Sequence, residues 1–207
     1  MPTEKFYNLD PEKRQKIINA MKKEFSKNSF HDASINRIVE DAGISKGSFW
    51  VYFDSKEEAI EYLIELHVCE ERAQSKVIFE KNNGDIFASF IELYDYLSKE
   101  SEENIMQIKL MANIFKSLIM NSEKCIKKGN EPAKDMLKNL KIDISNLNIH
   151  SSEELLSLLK LLNFSMRINL VDVITGKVDK ESAHKSFLKQ LEILKYGISK
   201  EKREEKM

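Results

Sequence analysis

The sequence is poor in the residues that turn or break a chain. Its 207 residues include six glycines and three prolines, where an average globular chain of this length carries roughly two dozen of the pair. β sandwiches and barrels need both at their many tight turns, so those folds and a collagen-like repeat are excluded. A membrane-spanning helix needs a run of about 18 uncharged apolar residues, and none occurs. The stretch MPTEKFYNLDPEKRQK has no apolar core of the signal-peptide type, so a cytoplasmic location is expected. Cysteine is scarce: Cys69 and Cys125, 56 positions apart, read as free thiols in a reducing compartment rather than a disulfide framework. Neither sign of charge dominates, with 33 basic and 34 acidic side chains and a net charge of -1, so the total charge announces neither nucleic acid nor membrane. What the chain does have is a 42% hydrophobic content, enough for a packed core. Its apolar residues recur at spacings of three and four. The fold class this predicts is all-α.

Start and stop signals divide the chain into helices. Asp10-Pro11-Glu12 opens a helix with a cap, a proline at the first position and an acid at the positive end of the dipole. Its apolar face is Ile17, Ile18, Met21 and Phe25, and it ends near Asn28. Ser34 caps a short second helix with Ile35, Ile38, Val39 and Ala42 inside, and Gly43 stops it. Ser45 caps a third short helix through about Tyr52, with Phe49 and Phe53 facing inward. Ser55 and Glu58 have capping-box spacing and begin a long helix to about Lys81. Asn82-Asn83-Gly84-Asp85 is a break. Further helices are expected at Ile86–Ser98, Ile105–Met120, Ala133–Leu140, Leu155–Thr175 and from Asp179 to about Ser199. Residues 121–132 form a polar connection, and residues 143–150 are irregular. Ser151 and Glu154 form a second capping-box pair. Gly47 alone falls inside a short helix, where it costs about 1 kcal/mol relative to alanine, which suggests a close backbone approach at that point.

Residues 1–56 hold ten basic and eight acidic residues, against 23 and 26 in the remainder. Two short helices joined by Ala42-Gly43-Ile44-Ser45, after a longer one, have the arrangement of a helix-turn-helix. Ile17-Ile18-Asn19-Ala20, Phe25, Phe30, Ala33-Ser34-Ile35, Ile38-Val39, Ala42-Gly43-Ile44-Ser45-Lys46-Gly47, Phe49-Trp50, Tyr52-Phe53 and Ser55-Lys56-Glu57 resemble the DNA-binding domain of TetR-family transcriptional regulators, with order and spacing intact from about Asp10 to Leu63. The chain departs from that pattern at three places. Ser29 replaces a usual glycine, Ala33 a common threonine and Trp50 a usual tyrosine. The missing glycine predicts a left-handed Asn28 or Ser29.

In a helix-turn-helix the second helix enters the major groove N-terminus first. Ser45, Lys46, Gly47 and Ser48 form that end here. Lys46 can reach a guanine edge or a phosphate, Ser48 bases or phosphate, and Gly47 lets the backbone approach. Trp50, Tyr52 and Lys56 would grip phosphates on either side. Ser34, Asn36 and Arg37 belong to the preceding helix, where the resemblance implies base and backbone contacts. Taken singly, Arg37, Lys46 and Lys56 read equally as solvated side chains; the motif as a whole reads as a binder of double-stranded DNA. Gly43-Ile44-Ser45-Lys46-Gly47 also fits G-x-S-x-G, but a nucleophile elbow needs a strand before its serine, and a helix stands there, so no enzyme is expected.

Residues 1–54 are therefore expected to form the DNA-binding domain, with the motif at about 34–53. Residues 55–200 would form a helical domain for ligand and dimer, followed by a charged tail at 201–207. One helix-turn-helix reads one half-site, so a homodimer on a palindromic operator follows. Leu155–Thr175 and Ser182–Ile198, the last two long helices, are the expected dimer elements. The first is apolar around most of its circumference and must be covered on several sides, either by a partner or as the central helix of a monomer. Within it Asn163 and Arg167 are four apart, and orient a ligand or lie on an exposed strip. The resemblance implies a small-molecule inducer, here apolar or amphipathic. Phe87, Phe90, Tyr94, Met106, Met111 and Phe115 can line its pocket, or serve only as core. His67 and Cys69, two apart on a helix, face different ways and make no metal site; no cofactor is expected. The alternatives are a regulator without inducer, governed by a protein partner, and a helical ligand-binding protein or enzyme with a vestigial helix-turn-helix.

Overall fold

The structure, a computed structural model, describes residues 1–99, 104–110, 112–113 and 140–198. No strand occurs among them. Most of the helix expected at Ile105–Met120, the connection 121–132, the helix expected at Ala133–Leu140 except its last residue, and the tail lie outside the described residues. The described part forms two compact units. One comprises Met1–Glu71 with residues 105–110 and 112–113; the other comprises Arg72–Asn104 and the described residues from 140 onward.

The first unit opens with a short helix that no periodicity or cap announces, α1 (Glu4–Tyr7). Its Phe6 is fully buried and packs on Phe53, with ring centroids 5.0 Å apart, and on Tyr62 at 5.3 Å. α2 (Pro11–Lys27) starts as its signals require, with the Asp10 carboxylate accepting from the N–H groups of Glu12 and Lys13. Ile17, Met21 and Phe25 line its inner face. α3 (Ile35–Ala42) and α4 (Lys46–Tyr52) follow, and the long α5 (Lys56–Lys81) completes the set. Half of the expected capping box forms at its first turn: Glu58 N–H donates to Ser55 Oγ, but the Glu58 carboxylate accepts from Asp54 N–H, one residue before the cap. Ile38, Phe49, Phe53, Leu63 and Leu110 close the core. α5 joins that core through buried Ala59 and Leu63, and further along it Glu70 pairs with Lys22 of α2 at 3.2 Å.

The second unit holds the end of α5, α6 (Ile86–Leu97), α7 (Ser152–Ile174) and α8 (Lys180–Ile198). The break after α5 is tightly specified. Asn83 takes a left-handed φ of 53° and Gly84 one of 83°. A Cβ on Gly84 would lie 2.7 Å from the Asp143 nitrogen and 2.8 Å from the Lys141 oxygen, so only glycine fits. Asp143 N–H donates to the Gly84 carbonyl at 2.9 Å, which ties the irregular stretch after residue 140 to this turn. Ser151 caps α7 as the spacing predicts, but the Glu154 carboxylate accepts from the His150 N–H, one residue before the cap, rather than from Ser151.

Candidate nucleic-acid interface

The turn between α3 and α4 sets the geometry of the reading head. Gly43 adopts φ 65°. Its N–H donates to Glu40 O and the next N–H, of Ile44, to Val39 O. This is the Schellman pair that ends a helix through a left-handed residue. Ser45 then caps α4 by accepting from the Ser48 N–H at 3.0 Å, and the two serine hydroxyls bond at 2.8 Å. Phe49 and Phe53 are fully buried beneath.

What remains outward on α4 is one face: Lys46, Gly47, Trp50 and Val51, with Ser48 beside it. Trp50 is 41% exposed and Val51 43%. Val51 was not foreseen as a site residue. Its i,i+4 spacing from Gly47 places it on the same face, and the helical period was the signal that could have found it. Gly47 touches nothing that requires glycine; an added Cβ would meet only Ser45 Oγ, at 3.8 Å. Its smallness is therefore not demanded by the chain's own packing.

The other expected contacts sit differently. Tyr52 is buried, with its ring 5.9 Å from Phe6. The carbonyls of Val51 and Tyr52 accept from the Thr3 side chain and backbone, so the N-terminal segment closes the carbonyl end of α4. Lys56 donates to Ala33 O at 3.1 Å and lies 4.7 Å above the Phe30 ring, joining the loop before α3 to the start of α5. Asn36 projects from α3, exposed. Ser34 occupies the N-cap of α3, but its hydroxyl makes no cap bond. Glu24 of α2 accepts the Ser34 N–H instead, at 2.8 Å. The same carboxylate holds Arg37, with Nε at 3.0 Å and an NH2 contact of 2.6 Å, and accepts from Asn28 Nδ2. Burial opposes the charge on Glu24, but Arg37, the Ser34 N–H and Asn28 outweigh it and hold the carboxyl below its ordinary value. Arg37 also donates to Asp32 O. The left-handed Asn28 or Ser29 expected from the missing glycine does not occur. Asn28 is extended at φ -123°, and Asn83 is the one non-glycine with positive φ among the described residues. The N–H groups of Asp32 and Ala33 both return to Ser29 O, which closes the turn without a left-handed residue.

In the second unit Phe87, Phe90 and Tyr94 share the buried side of α6. Phe90 meets Phe79 edge-on, and Tyr94 stacks on Phe187 at 4.7 Å. The Tyr94 hydroxyl is buried with no hydrogen-bond partner among the described residues, and burial raises its pKa. Met106 is half-buried and belongs to the first unit; Met111 and Phe115 lie outside the described residues. Arg167 donates to Asn163 Oδ1 at 2.6 Å, both half-buried on α7. A neighbouring polar network was not foreseen: buried Asn169 bonds Ser165 O and Gln190 Oε1, and Ser165 bonds the same Gln190 oxygen.

A buried helical core that presents a capped helix-turn-helix defines the class: a DNA-binding regulator of the helix-turn-helix type. Residues 17–63 match the family described as bacterial regulatory proteins, tetR family, and residues 85–198 match the tetracyclin repressor-like C-terminal domain. The chain belongs to the TetR family of DNA-binding transcriptional regulators. Such regulators are not enzymes. It is 43% identical over 53 residues to the HTH-type transcriptional regulator YdgC of Bacillus subtilis, covering 26% of this chain and 27% of that protein. It is 41% identical over 51 residues to the HTH-type transcriptional regulator UidR of Escherichia coli, covering 25% and 26%. These matches span about a quarter of the relatives' length. Among solved structures, Salmonella enterica GusR aligns with a TM-score of 0.62 at 18% identity over 89% of this chain and 96% of that one. SmeT, the repressor of the Stenotrophomonas maltophilia multidrug efflux pump SmeDEF, aligns at 0.61 and 15% identity over 94% and 93%. At such identities the likeness is one of fold. No helix among the described residues is long and apolar enough to cross a membrane.

Proposed function

We propose that the protein is a homodimeric repressor on a palindromic operator, released by a small apolar or amphipathic molecule held in the second unit. The observation that carries the DNA side is the outward face of α4. Lys46, Trp50 and Val51 stand exposed over a rigid aromatic floor, and Lys46 has no ion-pair partner among the described residues. Lys46 takes a guanine edge or phosphate, Ser45, Gly47 and Ser48 let the helix end approach, and Trp50 and Asn36 flank it. The Ser34 N–H, Arg37, Tyr52 and Lys56 serve the same surface by holding α3 and α4 in place, since these groups are already engaged within the chain. The dimer rests on α7 and α8, whose Leu161, Phe164 and Ile168, and Ile193 and Tyr196, are exposed. On α7 these recur at i, i+3 and i+7, an apolar stripe fit for a second copy. The ligand reading rests on Tyr94: a buried hydroxyl without a partner costs about 1–3 kcal/mol, and a bound molecule with one polar group would satisfy it. α5 contributes to both units and is the element through which binding in one biases the other.

The second reading, control by a protein partner, draws on the ring packing of Phe79 with Phe90 and Tyr94 with Phe187, which fills that space with the chain's own side chains. Mass spectrometry of molecules released from purified protein separates the two. DNA binding itself is tested by titrating duplex DNA at rising salt. Affinity should fall linearly on logarithmic axes, and Lys46→Ala should reduce that slope by about 1. No binding at low salt would end the proposal.

A further inference from the structure

α2 ends at Lys27, and the last four carbonyls of a helix have no partner within it. The following chain meets one of them, with Asn28 N–H returning to Glu24 O at 3.1 Å. The N–H groups of Asp32 and Ala33 go to Ser29 O instead. Asn113 comes to two of the carbonyls that are left, those of Phe25 and Ser26, and to the Asn28 carbonyl just beyond the helix. Its Nδ2 lies 3.1 Å from Phe25 O, 3.1 Å from Ser26 O and 3.3 Å from Asn28 O, 85 to 88 positions away in sequence. Chemistry fixes which amide atom faces them, because an oxygen there would meet three other oxygens. Two hydrogens serve three acceptors, so at least one is shared. Leu110, three residues earlier, is fully buried in the first unit's core and anchors the backbone from which Asn113 reaches.

The turn that Asn113 grips is the one that carries Glu24, and Glu24 in turn holds the Ser34 N–H and Arg37 at the start of α3. α3 leads through Gly43 directly into α4. We propose that Asn113 is a positioning residue for DNA binding. Its amide fixes the carbonyl end of α2 and, through Glu24, the placement of α3 and α4, without touching DNA itself.

The test uses the full chain and the duplex that wild type selects from a random pool, well below each variant's melting temperature. Asn113→Ala should bind about tenfold more weakly, the loss expected when buried carbonyls are left without donors. Asn113→Asp puts a carboxylate against the negative end of a helix, which repels it and raises its pKa. Its binding should be weaker than that of the alanine variant at pH 8. Toward pH 5 it should recover relative to that variant, as the protonated acid regains one O–H donor. An alanine variant with lowered melting temperature but wild-type affinity would show a merely stabilising contact and overturn the proposal. So would an aspartate variant whose pH profile follows that of alanine. If circular dichroism shows the aspartate variant unfolded, the affinity of the alanine variant decides alone.

Discussion

Gly47 shows what a single residue can be asked to do. Nothing in the chain crowds it, since the nearest atom to an added Cβ is Ser45 Oγ at 3.8 Å. A side chain there is therefore tolerated by the fold and directed outward between Lys46 and Val51. We expect Gly47→Val to keep the melting temperature within a few degrees, because valine is no worse than glycine within a helix. DNA affinity should fall by more than about tenfold, the steric cost of holding the helix end off the groove. Loss of both in parallel, by calorimetry and DNA titration, would place Gly47 in the fold instead. The sequence made this position legible because glycine broke the helical pattern there. It did not make legible which neighbours were free to act. Lys46, Arg37 and Lys56 look alike as letters, yet Arg37 is gripped by Glu24 and Lys56 by Ala33 O and the Phe30 ring. Only the spatial partner separates them.

At the scale of elements, the α2–α3 junction depends on one buried carboxylate. Glu24→Ala removes the acceptor for the Ser34 N–H, Arg37 and Asn28, and should cost about 2 kcal/mol in denaturant unfolding at neutral pH. Because the folded Glu24 carboxyl titrates below its ordinary value, its stabilisation is present above the unfolded value, about 4.3. It is lost as pH falls through the lower folded value. The gap between wild type and variant should thus close in acid. A gap that stays constant below about pH 4 would contradict the ionic role. Helix boundaries were readable from caps, because Asp10, Ser45, Ser55, Ser151 and Asp179 bond first-turn N–H groups near their own position in sequence. Ser34 followed the same rule by position only; its hydroxyl makes no cap bond, and Glu24, ten residues earlier, holds its N–H. α1 was unreadable for a similar reason. Four residues carry no period, and Phe6 becomes core only through Tyr52, Phe53 and Tyr62.

For the molecule as a whole, the exposed face of α7 and α8 is the feature that a lone chain leaves unexplained. Phe164 is 59% exposed and flanked by Leu161 and Ile168. Phe164→Glu should leave helix content unchanged and convert a dimer to a monomer in analytical ultracentrifugation; an unchanged mass would move the dimer surface elsewhere. The all-α architecture was legible in the scarcity of glycine and proline, and the reading head in a dozen spaced positions. The second unit was legible only as helices. Its Asn169–Gln190 network and the unpaired Tyr94 hydroxyl arise between elements far apart in sequence. The central claim is that two copies present two α4 helices to DNA. Selection of bound duplexes from a random pool by the 207-residue chain tests it most directly. We expect an enriched palindrome whose half-site centres are about one helical turn, or a multiple of it, apart. A single unrepeated half-site, or no enrichment at low salt, would contradict it.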